Sequence, residues 1–227
     1  MLSIILPTFN EEGNIGEMLT LIKKNLQKIN YEVIVIDDNS SDKTVEIAKS
    51  MSKKLNVRVI VRKKDYGLSQ SVVEGFRKAN GDIVCAMDSD LQHPVEILPK
   101  MLDNIKNCDI VIGSRFVAGG EIEKWSFHRK IISFFAKMMI MPLTKVHDPM
   151  TGFFMVRKSV IKFDLLKPRG YKILLEILVR NNLKNFIEVP IVFRDRIKGK
   201  SKLSMKVNFE YIKQVFSLYL FYFKNLF

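Results

Sequence analysis

The 227-residue sequence is 47% hydrophobic and 27% charged, which is typical of a globular chain with one substantial core and excludes wholesale disorder. The net charge of +13 is uneven: residues 1–114 carry 15 basic and 16 acidic side chains, whereas residues 115–227 carry 22 and 8. A uniformly cationic nucleic-acid coat is therefore not expected, and the basic half suits a phosphate-bearing ligand, an anionic membrane surface or RNA.

Targeting and redox signals are few. Cys85 and Cys108 lie in apolar surroundings and cannot build a disulfide framework, so we expect buried, reduced thiols. No charged leader precedes the first strand-like run, so we expect no signal peptide. The longest apolar runs fall short of the roughly 18–20 residues that cross a bilayer, so we expect no spanning helix.

The first half alternates β-branched runs with amphipathic ones. Strands are predicted at 2–6, 32–36, 57–61, 83–87 and 110–112, and helices at 12–29, 43–53, 68–79 and 95–106. This alternation is typical of βαβ units, so we predict an α/β, Rossmann-like fold with a mostly parallel sheet flanked by helices. In such sheets ligands bind beyond the carboxyl ends of the strands.

Acidic side chains follow three of these predicted strands. Glu11 comes after the first, Asp37 and Asp38 after the second, and Asp88 and Asp90 after the fourth. We expect them to converge at one edge of the sheet, where clustered carboxylates repel one another unless a cation or hydrogen-bond donors compensate. Each could instead cap a helix. The sequence has neither a dinucleotide-binding fingerprint nor a P-loop.

The tripeptide Asp88-Ser89-Asp90 is the sharpest of these signals because it follows a buried strand. Its carboxylates and the nearby Gln92 are hard oxygen ligands of the kind that hold Mg²⁺ or Mn²⁺ on a substrate's phosphates. Such a metal would neutralise the charge that develops on a departing nucleoside diphosphate. The same tripeptide also occurs by chance.

Beyond residue 114 the alternation breaks. Apolar residues mixed with cations at 125–143 predict a helix in a membrane interface or in the core. A turn at 148–154, a strand-like run to 156, a helix at 171–179 and a strand at 187–193 follow. The cations of 194–206 form either a solvated face or a loop that closes over phosphates. The aromatic tail at 211–227 suits a membrane-surface helix, a core helix or the start of a membrane segment.

In this order the motifs resemble those of the family-2, GT-A-fold glycosyltransferases and, among them, the dolichol-phosphate mannose synthases. The matching stretches are PTFNEE at 7–12, DDNSSD at 37–42, GL at 67–68, MDSDLQHP at 87–94, IGSR at 112–115, DPMTGFF at 148–154, KILLEI at 172–177 and GKSKL at 199–203. The acidic motifs are common to the superfamily. The pieces DLQHP, DPMTGF and G-x-S-K-L are more specific to polyprenyl-phosphate sugar transferases.

The resemblance implies an inverting, metal-dependent transfer of mannose from GDP-mannose to dolichyl or another polyprenyl phosphate. It implies one catalytic domain over 1–227, with a nucleotide-sugar half at 1–114, an acceptor half at 115–208 and an amphipathic tail at 209–227. It also implies Mg²⁺ or Mn²⁺ as cofactor, no nucleic-acid partner, and a peripheral location on the cytoplasmic face of a membrane. Relatives without transmembrane helices rely on surface helices or a membrane-protein partner.

Site residues carry over from the same motifs. The nucleotide sugar would be held by Pro7, Phe9, Glu11, Ile36, Asp38, Asp88, Ser89, Arg196 and Lys202. The metal would be held by Asp88, Asp90 and Gln92, and the lipid phosphate by Arg115, Arg129 and Ser133. Asp90, Arg115 and Arg129 are the residues expected to be catalytic.

The basic half favours a phosphate acceptor over a hydroxyl. The second pKa of a phosphate monoester is about 6, so at neutral pH the group is already largely dianionic and needs cations more than a general base. If the acceptor were a hydroxyl, Glu176 would be the candidate base; otherwise it pairs with a nearby cation. Two alternatives stay open: a glucosyltransferase that uses UDP-glucose, and a non-catalytic basic module that binds membranes or RNA.

Overall fold

Strands and helices alternate through the first half, close to the predicted boundaries. The computed structural model describes residues 1–53, 55–124, 127–195 and 205–225, without the side chains of 127–130 and 205–208. Its first five strands are β1 (Leu2–Thr8), β2 (Tyr31–Asp37), β3 (Val57–Val61), β4 (Ile83–Ala86) and β5 (Ile110–Ser114). The helices between them are α1 (Ile15–Asn25), α2 (Thr44–Ser52), α3 (Leu68–Lys78) and α4 (Leu98–Asn104).

Two of these helices, α1 and α4, are shorter than predicted by several residues. Helix α1 begins at Ile15 because residues 11–14 form a turn, in which the main-chain N–H groups of Asn14 and Ile15 both donate to the carbonyl of Glu11. The predicted helix at 95–106 is divided, since 3₁₀ turns at Val95–Ile97 and Ile105–Asn107 flank α4. Neither change moves a predicted site residue away from its strand end.

The second half adds four strands and three helices among the described residues. They are β6 (Glu121–Ile122), α5 (Phe127–Met138), β7 (Phe154–Arg157), α6 (Ile173–Arg180), β8 (Phe186–Pro190), β9 (Val192–Phe193) and α7 (Met205–Lys224). The prediction of a single strand at 187–193 is wrong. The ladder with β5 ends at the pair of Ser114 and Pro190, and Val192 and Phe193 beyond it pair with β6 instead.

Seven of the described strands form one sheet in the order β3-β2-β1-β4-β7-β5-β8. Every pairing in it is parallel except those of β7, which runs antiparallel to both β4 and β5, so the predicted mostly parallel sheet is confirmed. Because β7 is reversed, its first residue, Phe154, pairs with Ala86 and Ile112. The segment that leads into β7 therefore lies at the carboxyl edge of the parallel strands.

Apolar side chains cover both faces of the sheet. On one face Ile4 and Leu6 of β1 pack with Met18 and Ile22 of α1. On the other face Ile5 packs in a cluster with residues of α3 and α6. Alternate residues of β1 thus reach opposite faces, and the continuous apolar run reflects burial on both sides. Cys85 and Cys108 are both buried and free, as expected.

The packing of α3 on β1 depends on Gly75. A Cβ at this position would meet Ile5 Cγ2 at 2.5 Å, whereas a Cβ at Gly16 of α1 would meet Ile47 Cγ2 at 3.5 Å, an ordinary contact. Overpacking of about 1–3 kcal/mol should outweigh the roughly 1 kcal/mol that alanine gains in a helix, so Gly75→Ala should lower the free energy of unfolding. Urea denaturation measures it, with Gly16→Ala as the matched variant that should not be destabilised. Equal stability of the two variants would contradict the packing argument.

Candidate active site

Side-chain hydrogen bonds tie together the carboxyl ends of β1, β2 and β4. Thr8 Oγ1 donates to Asp37 Oδ2 at 2.9 Å, and Ser89 Oγ donates to the carbonyl of Pro7 at 3.1 Å. These two contacts join the β2 end and the β4 end to β1. The predicted convergence of the acidic strand ends is therefore confirmed.

Asp37 is a structural carboxylate. It is fully buried and accepts hydrogen bonds from Ser40, at 2.8 Å from the main-chain N–H and 2.6 Å from the hydroxyl. Ser40 Oγ in turn accepts the main-chain N–H of Asn10, and Asn10 Oδ1 accepts that of Ser41. The loops after β1 and β2 are thereby held against each other, which fixes Glu11 and Asp38 in place.

Asp38 belongs to a network that the sequence did not reveal. Its Oδ1 accepts from Arg62 Nη1 at 2.7 Å and from Ser71 Oγ at 2.8 Å, and its Oδ2 accepts from the main-chain N–H of Gly67 at 2.7 Å. The Arg62 side chain is only 4% exposed and also donates to Glu74. This network holds a hydrogen-bond acceptor in one orientation at the sheet edge. Arg62 follows β3 without any motif, so only the fold identifies it.

Gly67 is required by the backbone at the start of α3. Its φ of 143° lies in a region that L side chains rarely adopt. The main-chain N–H that it presents to Asp38 depends on that conformation. This backbone conformation explains why the GL motif at 67–68 begins with glycine.

Asp88 and Asp90 lie where the sequence predicts. The Asp88 side chain is 32% exposed, and a Cβ on Gly152 would come within 2.8 Å of its Oδ2. Asp90 is buried and accepts the main-chain N–H of Gln92 at 3.1 Å, while Gln92 Nε2 donates to the carbonyl of Arg194. Gly152 therefore leaves room for the Asp88 carboxylate beside the segment that enters β7.

The donor set at this edge suits Mg²⁺ or Mn²⁺. Among the described residues there is no group of three or more His, Cys, Asp or Glu that could hold a metal alone. Mg²⁺ is usually bound by one or two carboxylates together with waters and substrate phosphates. Asp88, Asp90 and the Gln92 amide fit a cation that arrives with a diphosphate.

His93 is a buried group to which the sequence assigned no role. Its Nδ1 accepts the main-chain N–H of Asp88 at 3.3 Å, and its ring stacks on Phe153 with centroids 5.3 Å apart. Burial is the largest cause that lowers the pKa of His93, so the neutral imidazole is favoured.

Arg115 is held in a buried ion pair. Its Nε and Nη2 donate to the two oxygens of Asp148 at 2.7 and 2.8 Å, and its main-chain N–H donates to Asp148 Oδ2 at 3.0 Å. Glu188 accepts the main-chain N–H groups of His147 and Asp148. Arg115, which the sequence predicts to bind the lipid phosphate, therefore has its guanidinium held in a fixed orientation. The sequence did not identify Asp148 and Glu188 as the residues that hold it.

Glu176 is placed as the partner of a cation. It is 1% exposed and accepts from Arg180 Nε, from the main-chain N–H of Lys167 at 2.9 Å and from Gln214 Nε2 at 3.2 Å. Arg180 also donates to Ser217 of α7. Of its two sequence interpretations, the structural ion pair is the one observed.

The other predicted site residues vary in exposure. Phe9 is 43% exposed at the end of β1, Glu11 is buried, and the Ile36 side chain is fully buried in the core, so only its main chain faces the edge. Ser133 is half-buried on α5, the helix that also contains Arg129. The side chain of Arg129 and the whole of Arg196 and Lys202 lie outside the described residues.

Helices α5 and α7 together expose an apolar face. We give this name to nine side chains, each more than half exposed: Ile132, Phe134, Phe135, Met138, Phe209, Ile212, Phe216, Leu220 and Phe223. The helices are joined because Tyr211 and Tyr219 of α7 donate to the carbonyls of Ala136 and Met139. No helix in the described ranges is long and apolar enough to cross a membrane.

A groove lies beside α5, and His147 in its lining directly precedes Asp148 in the chain. Its volume is about 470 Å³, and its lining combines apolar and cationic side chains: Phe134, Lys137, Met138, Met141, Thr144, Lys145, Val146 and His147. Lys137 Nζ lies 4.8 Å from the ring centroid of Phe116, and Arg115 Cζ lies 5.4 Å from the same centroid. One aromatic ring thus connects the groove to the buried arginine.

Comparison with known proteins places these features in a family. The family model described as glycosyl transferase family 2 matches residues 3–163. A dolichol-phosphate mannosyltransferase of Pyrococcus furiosus is 45% identical over 95% of this chain, which spans 63% of that relative's length. A protein of the same name from Mycosarcoma maydis is 39% identical over 97% of this chain and 80% of its own length.

Solved structures share the fold at low sequence identity. A glucosyl-3-phosphoglycerate synthase from Mycobacterium tuberculosis, in complex with Mn²⁺, UDP-glucose and phosphoglyceric acid, aligns with a TM-score of 0.70 at 16% identity. The alignment covers 96% of this chain and 78% of that one. Another structure of that synthase contains Mg²⁺ and UDP. The match shows the GT-A fold.

The Arg115–Asp148 pair should be costly to break from one side. Asp148→Asn leaves a buried guanidinium without its counter-charge, so the free energy of unfolding should fall by about 3–5 kcal/mol. Urea denaturation tests this, with Asp103→Asn in the exposed Asp103–Lys106 pair as the control that should change stability by less than about 1 kcal/mol. A loss at Asp148 no larger than at Asp103 would show that the pair is not structural.

Proposed function

The chain belongs to glycosyl transferase family 2, and we propose that it transfers mannose, with inversion at the sugar carbon, from GDP-mannose to dolichyl or another polyprenyl phosphate. The observation that carries this proposal is the placement of Asp88 and Asp90 at the sheet edge that also presents Asp38 and the Arg115–Asp148 pair. The names of the relatives support the choice of sugar and acceptor.

The donor would lie along the ends of β1, β2 and β4. Phe9 offers an exposed ring beside which a base can stack, and the fixed carboxylate of Asp38 can accept hydrogen bonds from the nucleoside. Asp88, Asp90 and Gln92 would hold Mg²⁺ or Mn²⁺. When bound, the cation neutralises the charge that develops on the departing GDP.

The acceptor phosphate would approach from the basic half. A phosphate oxygen attacks the anomeric carbon from the side opposite the leaving group; the new C–O bond forms as the bond to GDP breaks, which inverts that carbon. The dianionic phosphate needs no proton acceptor, which agrees with the engagement of Glu176 by Arg180. Arg115, Arg129 and Ser133 would hold the phosphate, with Arg196 and Lys202 on the donor.

The lipid part of the acceptor would meet the apolar face and the groove. Exposed apolar patches of this kind mark interaction sites, and cations beside them suit an anionic amphiphile. Lys137 and Lys145 would flank the phosphate end, while Phe134, Met138 and Met141 would contact the first isoprene units. The protein would work as a peripheral enzyme on the cytoplasmic face of a membrane.

The function is tested by a donor screen. The protein is incubated with a short polyprenyl phosphate, Mg²⁺ or Mn²⁺, and either GDP-mannose, UDP-glucose or UDP-GlcNAc, and the glycolipid is measured by mass spectrometry. Transfer from GDP-mannose is expected. Asp90→Asn should lower kcat on the order of 100-fold or more. The variant would lose a ligand of the cation that stabilises the negative charge developing on the departing diphosphate. The control variant Asp103→Asn, which removes an exposed carboxylate from α4, should keep full activity.

Two results would overturn the assignment. Transfer from UDP-glucose alone would show that the donor is wrongly assigned in both its sugar and its nucleotide. Transfer from no donor, together with salt-sensitive RNA binding that Asp90→Asn leaves intact, would favour a non-catalytic module.

Membrane docking is tested by flotation with vesicles. Wild-type protein should float with phosphatidylcholine vesicles that contain anionic phosphatidylglycerol, and more weakly with neutral ones. Replacing both Phe134 and Phe216 with serine should weaken binding about tenfold or more. Moving each ring from water into the membrane contributes up to roughly 2 kcal/mol of transfer free energy. Tyr66→Ser, which removes a 50% exposed ring from the loop after β3, is the matched control. Equal flotation of all three proteins would exclude the apolar face as the docking surface.

A further inference from the structure

His93 combines two contacts in one buried ring. It is 2% exposed, and its Nδ1 accepts the main-chain N–H of Asp88. Its ring stacks on Phe153 and is tilted by 59° against Phe193, with centroids 5.3 Å from each. Because Nδ1 accepts, the ring proton belongs on Nε2. The imidazole therefore acts at this position as a neutral acceptor inside an aromatic stack.

The loop from Asp88 to His93 closes upon itself through this contact. Leu91 has a φ of 64°, a left-handed conformation that turns the chain back, and Asp90 Oδ1 accepts the main-chain N–H of Gln92. The return brings His93 beneath the main chain of Asp88. The position of the Asp88 carboxylate thus depends on a hydrogen bond made five residues later.

Two further residues limit the freedom of this arrangement. Gly152 leaves only enough space for the Asp88 carboxylate, and Gly113 would place a Cβ 2.8 Å from Cδ1 of Phe153, the ring on which His93 stacks. Phe193, the second ring beside His93, lies with its centroid 5.3 Å from the Arg115 guanidinium carbon. The imidazole is therefore packed between the carboxylates of the β4 end and the arginine of the acceptor side.

We propose that His93 is a positioning residue, whose Nδ1 fixes the main chain of Asp88 so that the carboxylate meets the metal and the donor diphosphate. This rests on the proposed role of Asp88 in holding the metal. Removing a residue that orients a metal ligand through a hydrogen bond typically weakens metal affinity by roughly 10–100-fold. His93 itself contacts neither substrate in this scheme.

The test compares His93→Asn with His93→Leu, two side chains of similar size and shape. Both lose the aromatic stack, but only asparagine keeps an acceptor near the position of Nδ1. Calorimetric titration of Mn²⁺ in the presence of GDP should show affinity within about threefold of wild type for His93→Asn and about tenfold or more weaker for His93→Leu. The apparent metal constant in the transfer assay should follow the same order, with KM for the polyprenyl phosphate unchanged.

A stability control separates positioning from packing. Phe76→Leu removes a buried ring from the opposite face of the sheet and should lower the unfolding midpoint without changing Mn²⁺ affinity. Equal Mn²⁺ affinities for the asparagine and leucine variants would overturn the role of the Nδ1 acceptor. Failure of the wild-type protein to bind Mn²⁺ with GDP would instead refute the proposed metal site, so the two failures are distinguishable.

Discussion

The site depends on how the structure compensates carboxylates gathered at one edge of a sheet. Parallel strands bring Asp37, Asp38, Asp88 and Asp90 together, and the reversed strand β7 adds Asp148 from the segment before it. Hydroxyl and main-chain donors stabilise the Asp37 carboxylate by hydrogen bonds, whereas buried arginines neutralise Asp38 and Asp148. In the proposed mechanism the Asp88–Asp90 pair is the acidic element that meets the cation and the diphosphate.

Periodicity predicted the first half of the fold closely because the inner strands β1, β2, β4 and β5 are mostly apolar and buried on both faces, while the edge strand β3 is a partly buried run rich in valine. It failed at 187–193 because the change of partner at Pro190 is a tertiary event, set by the presence of β6. Helix α1 was predicted too long, since apolar spacing does not show where a loop such as 11–14 holds the backbone.

The site was predictable where residue type and strand position coincide, as at Asp88 and Asp90. Its supporting residues were not, because Arg62, Glu188 and His93 act through contacts with partners 5 to 40 positions away. A charge count in the sequence also overstates the cations that are available to a ligand. Arg157 and Lys158, for example, donate to main-chain carbonyls and stabilise the fold.

Helix α7 has a consequence beyond binding. It is attached to α6 through buried polar contacts, in which Arg180 bridges Glu176 and Ser217, and α6 packs directly beneath the sheet. In the proposed docking on a bilayer, a surface joined so firmly to the core would orient the whole molecule. Encounters with a lipid substrate would then occur by lateral diffusion in two dimensions, and turnover would follow the surface density of the lipid rather than its bulk concentration.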